Sequence, residues 1–300
     1  MRRPVPLAAA AALLLAACAG DEPPAEPDAT GTPGALFPVT VGDVTLEEQP
    51  TRIVSLSPAV TEMLFAIGAG EQVVAVDELS NYPPEAPVTD LSGFTVNPEA
   101  VATYEPDLVV ISAFADEVVP QLGALDIPVH VAADNPLTIE DVYGQITDLG
   151  TLTGHPDEAA DVVERMGQDL AKLAADAPDR EEPLTYYFEI DDNYWSYTSA
   201  SIVGSLLSTV GMENIAQEES VVSVQLTAEA IVDANPDVIL LADTAYGVDA
   251  ATVAERPGWS EIAAVREGQI VELDSDIASR WGPRLVDLVA AVVDAVSQVP

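Results

Sequence analysis

Residues 155–176 read HPDEAADVVERMGQDLAKLAAD, and this stretch divides the chain into two halves. Pro156 stands at the first helical position, and two acidic residues follow it, where negative charge suits the N-terminal end of a helix dipole. Apolar residues then recur at helical spacing and form a single stripe of Ala159, Val162, Val163, Met166, Leu170, Leu173 and Ala174. Pro178 ends the pattern. The stretch predicts one continuous helix, roughly 30 Å long at about 1.5 Å per residue.

Short aliphatic runs alternate with helical segments on both sides of this helix. Predicted strands lie at residues 53–56, 73–76, 108–111, 127–131, 185–189 and 238–241. Most of these runs lack polar alternation, which is typical of strands in a parallel sheet that is covered on both faces. The pattern therefore indicates the α/β fold class.

The two halves follow the same plan at a constant offset of 130 residues. EAV at 99–101 with PDLV at 106–109 matches EAI at 229–231 with PDVI at 236–239. We therefore predict two similar α/β lobes, each with a mostly parallel sheet, bridged by the long helix. The predicted boundaries are 51–136 for the N-terminal lobe, 137–178 for the connecting segment with the helix, and 179–300 for the C-terminal lobe.

The first residues have the pattern of a lipoprotein signal. Arg2 and Arg3 precede an apolar run over residues 7–17, which is too short to span a bilayer. Cys18, the only cysteine, directly follows small residues. We predict a signal peptide over 1–17, lipidation of Cys18 and a flexible tether over 18–50, because residues 20–35 are rich in Pro, Gly and acidic side chains. An ordinary cleaved signal with an incidental cysteine is the alternative.

Charge excludes some classes of function. The chain has 51 Asp and Glu against 10 Lys and Arg, a formal net charge of −41. Such a field repels phosphate backbones and anionic headgroups, so we expect no nucleic-acid binding and no membrane binding through basic residues. The sequence also has no Gly-x-Ser-x-Gly motif and no phosphate-binding loop ending in Lys. Two separated histidines, His130 and His155, do not make a transition-metal site without cysteines.

Two clusters have the residue types of a ligand site. The loop DDNYWSY at 191–197 follows a predicted strand, and ligands bind at the carboxyl ends of strands in open α/β sheets. Its candidate contact residues are Tyr194, Trp195 and Tyr197, with core packing as the alternative. Phe94, in the corresponding loop region of the first half, is predicted to face them across an interlobe cleft.

The second cluster is the segment 276–284, which carries Asp276 and Arg280. It gathers two arginines and a tryptophan in a chain that is poor in cations. An arginine in such a chain either pairs with carboxylates or contacts a ligand. Surface ion pairing is the alternative for any one of them.

Several motifs occur in order along the chain: RIVSLSPA at 52–59, Thr61-Glu62, NYPP at 81–84, PDLV at 106–109, and Arg280 with Pro283-Arg284. Together they resemble the cobalamin and ferric-siderophore binding proteins of ABC importers, the periplasmic substrate-binding proteins of the helical-backbone class, here in lipoprotein form. The resemblance runs from residue 52 to the C-terminus. It implies two lobes bridged by one long helix, with the ligand in a shallow cleft between them.

The resemblance also assigns roles by position. Its cleft positions fall on Phe94, Tyr197, Asp276 and Arg280. Leu79 and Ser223 depart from the pattern, because the cobalamin binder has aromatic residues there. Glu99 and Glu229 match the paired glutamates that dock onto arginines of the permease, one in each lobe. Ordinary helix-start chemistry is the alternative for both glutamates.

The resulting hypothesis is a non-enzymatic protein that captures a metal chelate of the cobalamin or ferric-siderophore type. It delivers the chelate to the transmembrane subunits of an ABC importer, and it needs no cofactor of its own because the ligand carries its metal. Only eight of the 10 Lys and Arg remain once Arg2 and Arg3 leave with the signal, so a neutral or weakly charged chelate with apolar faces fits best. We expect a monomer that lipidated Cys18 anchors to the outer face of the cell membrane.

Two alternatives stay open at this point. One is a cell-surface enzyme that uses carboxylates in the same cleft, and the other is a sensor or adhesion lipoprotein whose partner is another protein. For the capture protein, a linker that is itself a helix predicts small rotations of the lobes on binding instead of wide hinge closure.

Overall fold

Two four-stranded parallel sheets organise the computed structural model, which describes residues 36–218, 220–297 and 299. The strands in chain order are β1 (Val39–Val41), β2 (Val44–Leu46), β3 (Ile53–Leu56), β4 (Val73–Val76), β5 (Leu108–Ser112), β6 (Val129–Ala132), β7 (Leu184–Glu189), β8 (Trp195–Tyr197), β9 (Met212–Asn214), β10 (Ser223–Gln225), β11 (Val238–Leu241) and β12 (Ile270–Glu272).

Helices follow most of these strands. The α-helices are α1 (Pro58–Ala66), α2 (Pro98–Ala102), α3 (Val119–Gly123), α4 (Ile139–Thr153), α5 (Pro156–Asp176), α6 (Ile202–Ser208), α7 (Ala228–Ala234), α8 (Ala250–Ala254), α9 (Ala263–Glu267) and α10 (Leu285–Val296). Short 3-10 helices lie at Ala69–Gln72, Ala113–Val118, Thr244–Tyr246 and Trp259–Glu261.

The two sheets have the same strand order. The first sheet runs β4-β3-β5-β6 and the second runs β9-β7-β11-β12, with every neighbouring pair parallel. The offset also survives in the structure, since α2 begins at 98 and α7 at 228, while β5 begins at 108 and β11 at 238. The α/β fold class is thus confirmed.

Equivalent side chains stabilise the equivalent strands. Asp107, just before β5, accepts hydrogen bonds from the backbone N–H and the hydroxyl of Thr51 at 2.8 and 3.0 Å. Asp237, just before β11, accepts the same two bonds from Thr185, both at 2.8 Å. These aspartates of the PDLV and PDVI motifs therefore fix the start of the neighbouring strand in each sheet, β3 beside β5 and β7 beside β11.

Alternate residues of each strand pack on opposite faces of its sheet. One face of both sheets shares a single apolar core, to which the strands contribute Ile53, Leu108, Val110, Tyr186, Phe188, Val238 and Leu240. The outer face of the first sheet packs in a second cluster around Val54, Val109 and Ile111. The outer face of the second sheet packs in a third cluster around Tyr187, Ile239 and Leu241. From Leu36 onward the described residues consequently form one compact unit.

The long helix is α5, and it spans the predicted stretch. Its stripe buries Ala159, Val162 and Met166 in the shared core, and the remaining apolar residues of the stripe pack against that core half-buried. The helix before it, α4, was not predicted, although the connecting segment 137–178 contains it. Gly150 brings the two helices close together, because a Cβ there would lie 2.4 Å from that of Ala159.

The predicted tether, residues 18–50, includes a segment that is folded in the structure. Residues 39–46 form an antiparallel hairpin of β1 and β2, and Val44 and Leu46 are buried in the shared core. Alternate residues of β2 are buried, as expected for a strand with one face on the core, so this segment is folded against the protein and is not a free linker. The signal peptide, Cys18 and the tether up to residue 35 lie outside the described residues. None of the helices within the described ranges has the length and apolarity to cross a bilayer.

Candidate ligand-binding cleft

A cavity of about 430 Å³ opens where the strands of both sheets end. We call it the cleft, and its walls include the ends of β3 and β5 at Leu56 and Ser112, together with Ile190 and Ala242, which follow β7 and β11. In open α/β sheets ligands bind at this carboxyl-terminal edge of the strands. The cleft therefore lies between the two lobes at the position where the fold favours ligand binding.

Two phenylalanines form a stacked pair on the N-terminal side of the cleft. The ring centroids of Phe94 and Phe114 are 5.1 Å apart, and the ring planes are inclined by 19°. Both residues are nevertheless exposed, Phe94 by 67% and Phe114 by 52%. Adjacent large apolar side chains left in water on a concave surface are typical of a ligand contact.

Local structure holds this pair in place. Asp134, just after β6, accepts hydrogen bonds from the backbone N–H groups of Ala113 and Phe114 at 3.1 and 2.6 Å. Gly93 lets the loop of Phe94 approach the sheet, because a Cβ at residue 93 would lie 2.8 Å from the carbonyl oxygen of Leu56. Backbone contacts within the N-terminal lobe thus hold both rings at the cleft.

The C-terminal side of the cleft is also aromatic. Tyr197, the last residue of β8, packs with its ring 5.3 Å from that of Trp281 and 5.3 Å from that of Phe188. Burial raises the pKa of Tyr197 to about 12, so the hydroxyl stays protonated and neutral at physiological pH. Tyr246, in the 3-10 helix after β11, also lines the cleft and is 87% exposed. These phenols offer flat apolar faces and uncharged hydrogen-bonding groups.

Arg280 is the only cation that lines the cleft among the described residues, and it is almost fully engaged with the protein. Its Nη1 donates to Oε1 of Glu62 at 3.1 Å and to Oδ1 of Asn81 at 2.7 Å. Its Nη2 donates to the carbonyl oxygen of Leu79 at 2.9 Å and to Oδ1 of Asp276 at 2.7 Å. The guanidinium therefore links α1 and the loop after β4 to the segment before α10.

Asp276 completes this network at the surface of the cleft. Its second oxygen, Oδ2, accepts a hydrogen bond from the side-chain amide of Asn81 at 2.8 Å. Its side chain is 40% exposed, whereas that of Arg280 is 8% exposed. Of the two side chains, the carboxylate is the more exposed.

Asp77 is a third acidic residue of the cleft, with Asp134 and Asp276. It follows β4 and is buried, and the hydroxyl of Ser80 donates to it. Burial raises the pKa of Asp77 above its usual value, while that hydrogen bond opposes the shift. Its position under Gly93 makes it part of the floor of the cleft.

A larger cavity of about 780 Å³ lies beside α1 and the start of α10. Its lining includes Phe65, Tyr82 and Pro283 together with Glu62 and Arg284. No strand of either parallel sheet ends in it, so we take the smaller cleft as the candidate ligand site. The pair of Glu62 and Arg284, with Arg280, forms the boundary between the two cavities.

Tyr194 and Trp195 were predicted to contact ligand, but the structure places both outside the cleft. Tyr194 has a left-handed backbone, with φ of 67°, and its ring packs 5.9 Å from that of Trp259. Trp195 begins β8 opposite Gln225 of β10, at the end of the strand away from the cleft. Of the three residues only Tyr197 lines the cleft, and its contact with ligand stays a prediction, whereas the turn at 191–194 carries the ring of Tyr194 to the far face of the second sheet, in the third cluster.

That far face contains a buried group of ionisable side chains. Arg256 donates to both oxygens of Glu189 at 2.6 Å, and its guanidinium stacks 4.6 Å from the ring of Trp259. Asp243 is buried beside them, and neither its oxygens nor the hydroxyl of Tyr187 has a hydrogen-bond partner among the described residues. Burial, reinforced by the Glu189 carboxylate, raises the pKa of Asp243 to about 6.

The family model for the periplasmic binding proteins matches residues 53–277, which include both sheets and most of the cleft. The chain belongs to the periplasmic binding protein family.

Three proteins similar to this periplasmic binding protein have names that describe a function. It is 32% identical to YvrC of Bacillus subtilis (strain 168), named an uncharacterized ABC transporter substrate-binding lipoprotein, over 95% of this chain and 94% of YvrC. It is 29% identical to the cobalamin-binding protein of Halobacterium salinarum, over 91% of this chain and 78% of that protein. Among solved structures it matches the periplasmic heme-binding protein RhuT of Roseiflexus sp. RS-1, with a TM-score of 0.70 and 26% identity, over 81% of this chain and 98% of RhuT.

The two predicted docking glutamates lie at equivalent places in the periplasmic binding protein fold. Glu99 follows Pro98 in the first turn of α2, and Glu229 follows Ala228 in the first turn of α7. Both side chains are exposed, and Asn97 and Thr227 cap the two helices. The structure gives neither glutamate a contact with the cleft, and their role in docking stays a prediction.

Several residues of the cleft were not predicted from the sequence. Phe114, Asp134 and Tyr246 lie in three separate loops, and the signal that unites them is that each follows a predicted strand. Glu62 was recognised only as part of a motif. Within the described ranges, no group of three or more His, Cys, Asp or Glu side chains has the arrangement of a metal site.

Proposed function

We propose that this protein captures a metal chelate of the cobalamin or ferric-siderophore type and delivers it to an ABC importer. The observation that carries the proposal is the cleft at the carboxyl ends of both sheets, with the exposed stack of Phe94 and Phe114 facing Tyr246 and Tyr197. Flat aromatic walls suit a large ligand with apolar faces. The relative named for cobalamin binding supports this class of ligand, and the match to a structure named for heme binding supports more generally a large, flat metal chelate.

The side chains of the cleft support binding in preference to catalysis. Asp276 forms an ion pair with Arg280, Asp134 accepts hydrogen bonds from two backbone N–H groups, and the buried Asp77 accepts one from the hydroxyl of Ser80, so the protein itself holds each carboxyl group of the cleft. A general acid or base needs a carboxyl group that is free to exchange a proton with the substrate. We therefore propose a carrier without enzymatic activity, whose ligand brings its own metal.

The proposed partners are the transmembrane subunits of an importer, contacted by Glu99 and Glu229. The identical topology of the lobes supports this, because it places one exposed glutamate on the same helix of each lobe. We further propose that lipidated Cys18 anchors a monomer to the outer face of the cell membrane. The relative YvrC, named a substrate-binding lipoprotein, supports the anchor.

The test is ligand binding to the full-length protein in detergent micelles. Tryptophan fluorescence is followed during titration with cyanocobalamin, heme and a panel of ferric siderophores, and the melting temperature is measured at saturation. We expect one class to change the fluorescence, since Trp281 lines the cleft, and to raise the melting temperature. If no chelate changes either signal, the proposal is wrong.

A variant locates the binding site. Tyr246→Ala removes an exposed ring from the cleft, and Leu125→Ala removes an exposed apolar side chain that does not line it. We expect weaker binding for the first variant only. Equal affinities for the two variants would place the ligand elsewhere on the protein.

A further inference from the structure

The charged groups that line the cleft are unequal in number. Arg280 is the only described cation there, against the three carboxyl groups of Asp77, Asp134 and Asp276. The remaining chain does not offset this difference, since its formal net charge is −41. A ligand that enters the cleft therefore meets a negative lining inside a negative long-range field.

The one cation is not available to a ligand. A guanidinium carries five N–H donors, and four hydrogen bonds from Arg280 go to Glu62, Asn81, the carbonyl oxygen of Leu79 and Asp276. Its side chain is also only 8% exposed. To bind a ligand anion, this largely buried guanidinium would have to exchange one of its hydrogen bonds to the protein for one to the ligand, which offsets much of the gain in binding energy.

The carboxylates differ in how much of them faces the cleft. Asp77 is buried and accepts a hydrogen bond from Ser80, and Asp134 has a structural role because its two oxygens accept the backbone N–H groups of Ala113 and Phe114. Asp276 remains 40% exposed, and each of its oxygens accepts a single hydrogen bond from a described residue. A carboxylate has about four acceptor positions, so Asp276 keeps acceptor capacity for a donor on the ligand.

The rest of the lining is neutral. Phe94, Phe114, Tyr197 and Tyr246 provide rings and phenols, and Leu79 provides an exposed aliphatic surface. Such walls bind the apolar face of a chelate and the amide groups at its edge, but they do not stabilise a carboxylate or a catecholate that has lost its water.

From these observations we infer that the cleft accepts uncharged and cationic metal chelates and rejects anionic ones, with Asp276 as the residue that sets this preference. The inference rests on the proposed function. Within it, the substrates are chelates such as amide-bearing corrinoids or cationic hydroxamate complexes, and tris-catecholate complexes and dicarboxylate porphyrins are excluded.

The experiment changes the charge of the chelate while keeping its framework. In the corrinoid series, neutral cyanocobalamin is compared with its monocarboxylic acid, in which one peripheral amide is hydrolysed. In the hydroxamate series, cationic ferrioxamine B is compared with its N-succinyl derivative, which carries a carboxylate. Dissociation constants are measured by fluorescence titration of the full-length protein at one ionic strength, because exposed charges are screened by salt.

In whichever framework binds, we expect the anionic member to bind more weakly, by about tenfold in the corrinoid pair, which differs by one charge, and by more in the hydroxamate pair, which differs by two. Equal or tighter binding of the anionic member would overturn the inference and leave the proposed function intact. Failure of both frameworks to bind in any charge state would instead contradict the proposed function for these two ligand classes.

Two variants test the role of Asp276. Asp276→Asn removes the exposed charge and leaves an N–H of Arg280 without its charged acceptor, so the penalty on the anionic member should fall several-fold. Asp169→Asn removes the same charge from the exposed face of α5, far from the cleft lining, and should leave the ratio unchanged. An unchanged ratio in Asp276→Asn, with a melting temperature close to that of the wild type, would show that Asp276 does not set the preference. The comparison of chelates on the wild-type protein does not depend on either variant.

Discussion

Arg284, at the N-cap of α10, donates from Nε to Oε2 of Glu62 in α1 at 2.8 Å. Arg280 donates to the other oxygen of Glu62 at 3.1 Å, and the Glu62 side chain is only 1% exposed. The hydrogen bond to Glu62, the largest contribution, raises the pKa of Arg284. One buried carboxylate of the N-terminal lobe therefore balances two guanidinium groups that belong to the C-terminal lobe.

Replacing Glu62 should destabilise the protein strongly. Glu62→Gln leaves the buried Arg284 without its carboxylate and leaves Arg280 with Asp276 as its one remaining described ion-pair partner, and breaking a buried pair in this way typically costs about 3–5 kcal/mol. Urea denaturation gives the free energy of unfolding. Glu71→Gln is the matched control, because Glu71 is an exposed glutamate beside the larger cavity. A loss for Glu62→Gln no larger than for the control would show that the pair does not stabilise the lobes.

The stacked phenylalanines should affect ligand binding more than stability. Phe94→Ala and Phe114→Ala each remove an exposed ring, and truncating an aromatic anchor at a binding site commonly costs more than about 1 kcal/mol, or close to tenfold in affinity. Because both rings are largely in water, we expect melting temperatures near that of the wild type. The measurement is a titration with whichever chelate the wild type binds. Unchanged affinity in both variants would exclude this wall of the cleft as a contact surface.

The sequence predicted elements whose signals are local. The aliphatic runs of β3, β4 and β11 and the stripe of α5 are contained in short windows, and the structure has them at or near the predicted residues. The three-residue strands β8, β9, β10 and β12 were missed as strands because each is too short to show a periodic pattern and forms by pairing with another segment of the chain. The hairpin of β1 and β2 was missed because its strands are equally short and follow a segment with the composition of a linker.

Contacts between residues far apart in the chain also limit the prediction of the site. Asp276 and Arg280 line the cleft as predicted, but the role of Arg280 depends on Glu62, which lies 218 residues earlier in the chain. Neighbouring sequence carries no sign of that contact. Tyr194 and Trp195 have the residue types of a ligand site, but neither lines the cleft. The left-handed backbone at Tyr194 turns the loop at this point, and residue types alone do not predict that turn.

Asp243 should make the stability of the protein fall as the pH rises. Its pKa is raised to about 6, mainly by burial, whereas an unfolded aspartate titrates near about 3.9. The native state thus keeps a proton that the unfolded state releases, so stability is greatest below the unfolded pKa and declines as the pH passes from there to the native pKa. Asp243→Asn removes this decline, and we expect its melting temperature relative to wild type to be higher at pH 8 than at pH 4.5.

Asp141 provides a control of opposite sign. It accepts hydrogen bonds from the backbone N–H groups of Thr138 and Leu137 at 2.9 and 3.0 Å, and the bond from Thr138 is the largest cause of its lowered pKa. Its contribution is present at neutral pH and is lost as the pH falls through the native pKa. Asp141→Asn should therefore lose stability relative to wild type to nearly the same extent at pH 8 and pH 4.5, and this loss should shrink only below the unfolded pKa of about 3.9. The same pH trend in both variants would contradict the assignment of Asp243.

Ligand binding should rotate the lobes only slightly. Strands of both sheets and helix α5 pack into one shared core, and wide closure would have to break packing of buried side chains from both lobes. Small-angle scattering with and without saturating chelate measures the radius of gyration. We expect nearly equal values, and a large fall on binding would show that the shared core separates into two moving bodies.

Docking should depend on Glu99 and Glu229 together. The two exposed glutamates occupy the second position of α2 and α7, and reversal of one charge leaves the other lobe able to contact the importer. Glu99→Arg combined with Glu229→Arg places two cations against the proposed permease arginines, and like charges across an interface are strongly disfavoured. We expect chelate uptake by cells to be lost while the dissociation constant of the chelate stays unchanged, because neither residue lines the cleft.

Asp161→Arg with Asp169→Arg makes the same change in net charge on the exposed face of α5 and should retain uptake. Loss of uptake in both double variants would implicate net charge in general, and normal uptake in the Glu99 and Glu229 variant would show that the importer recognises another surface.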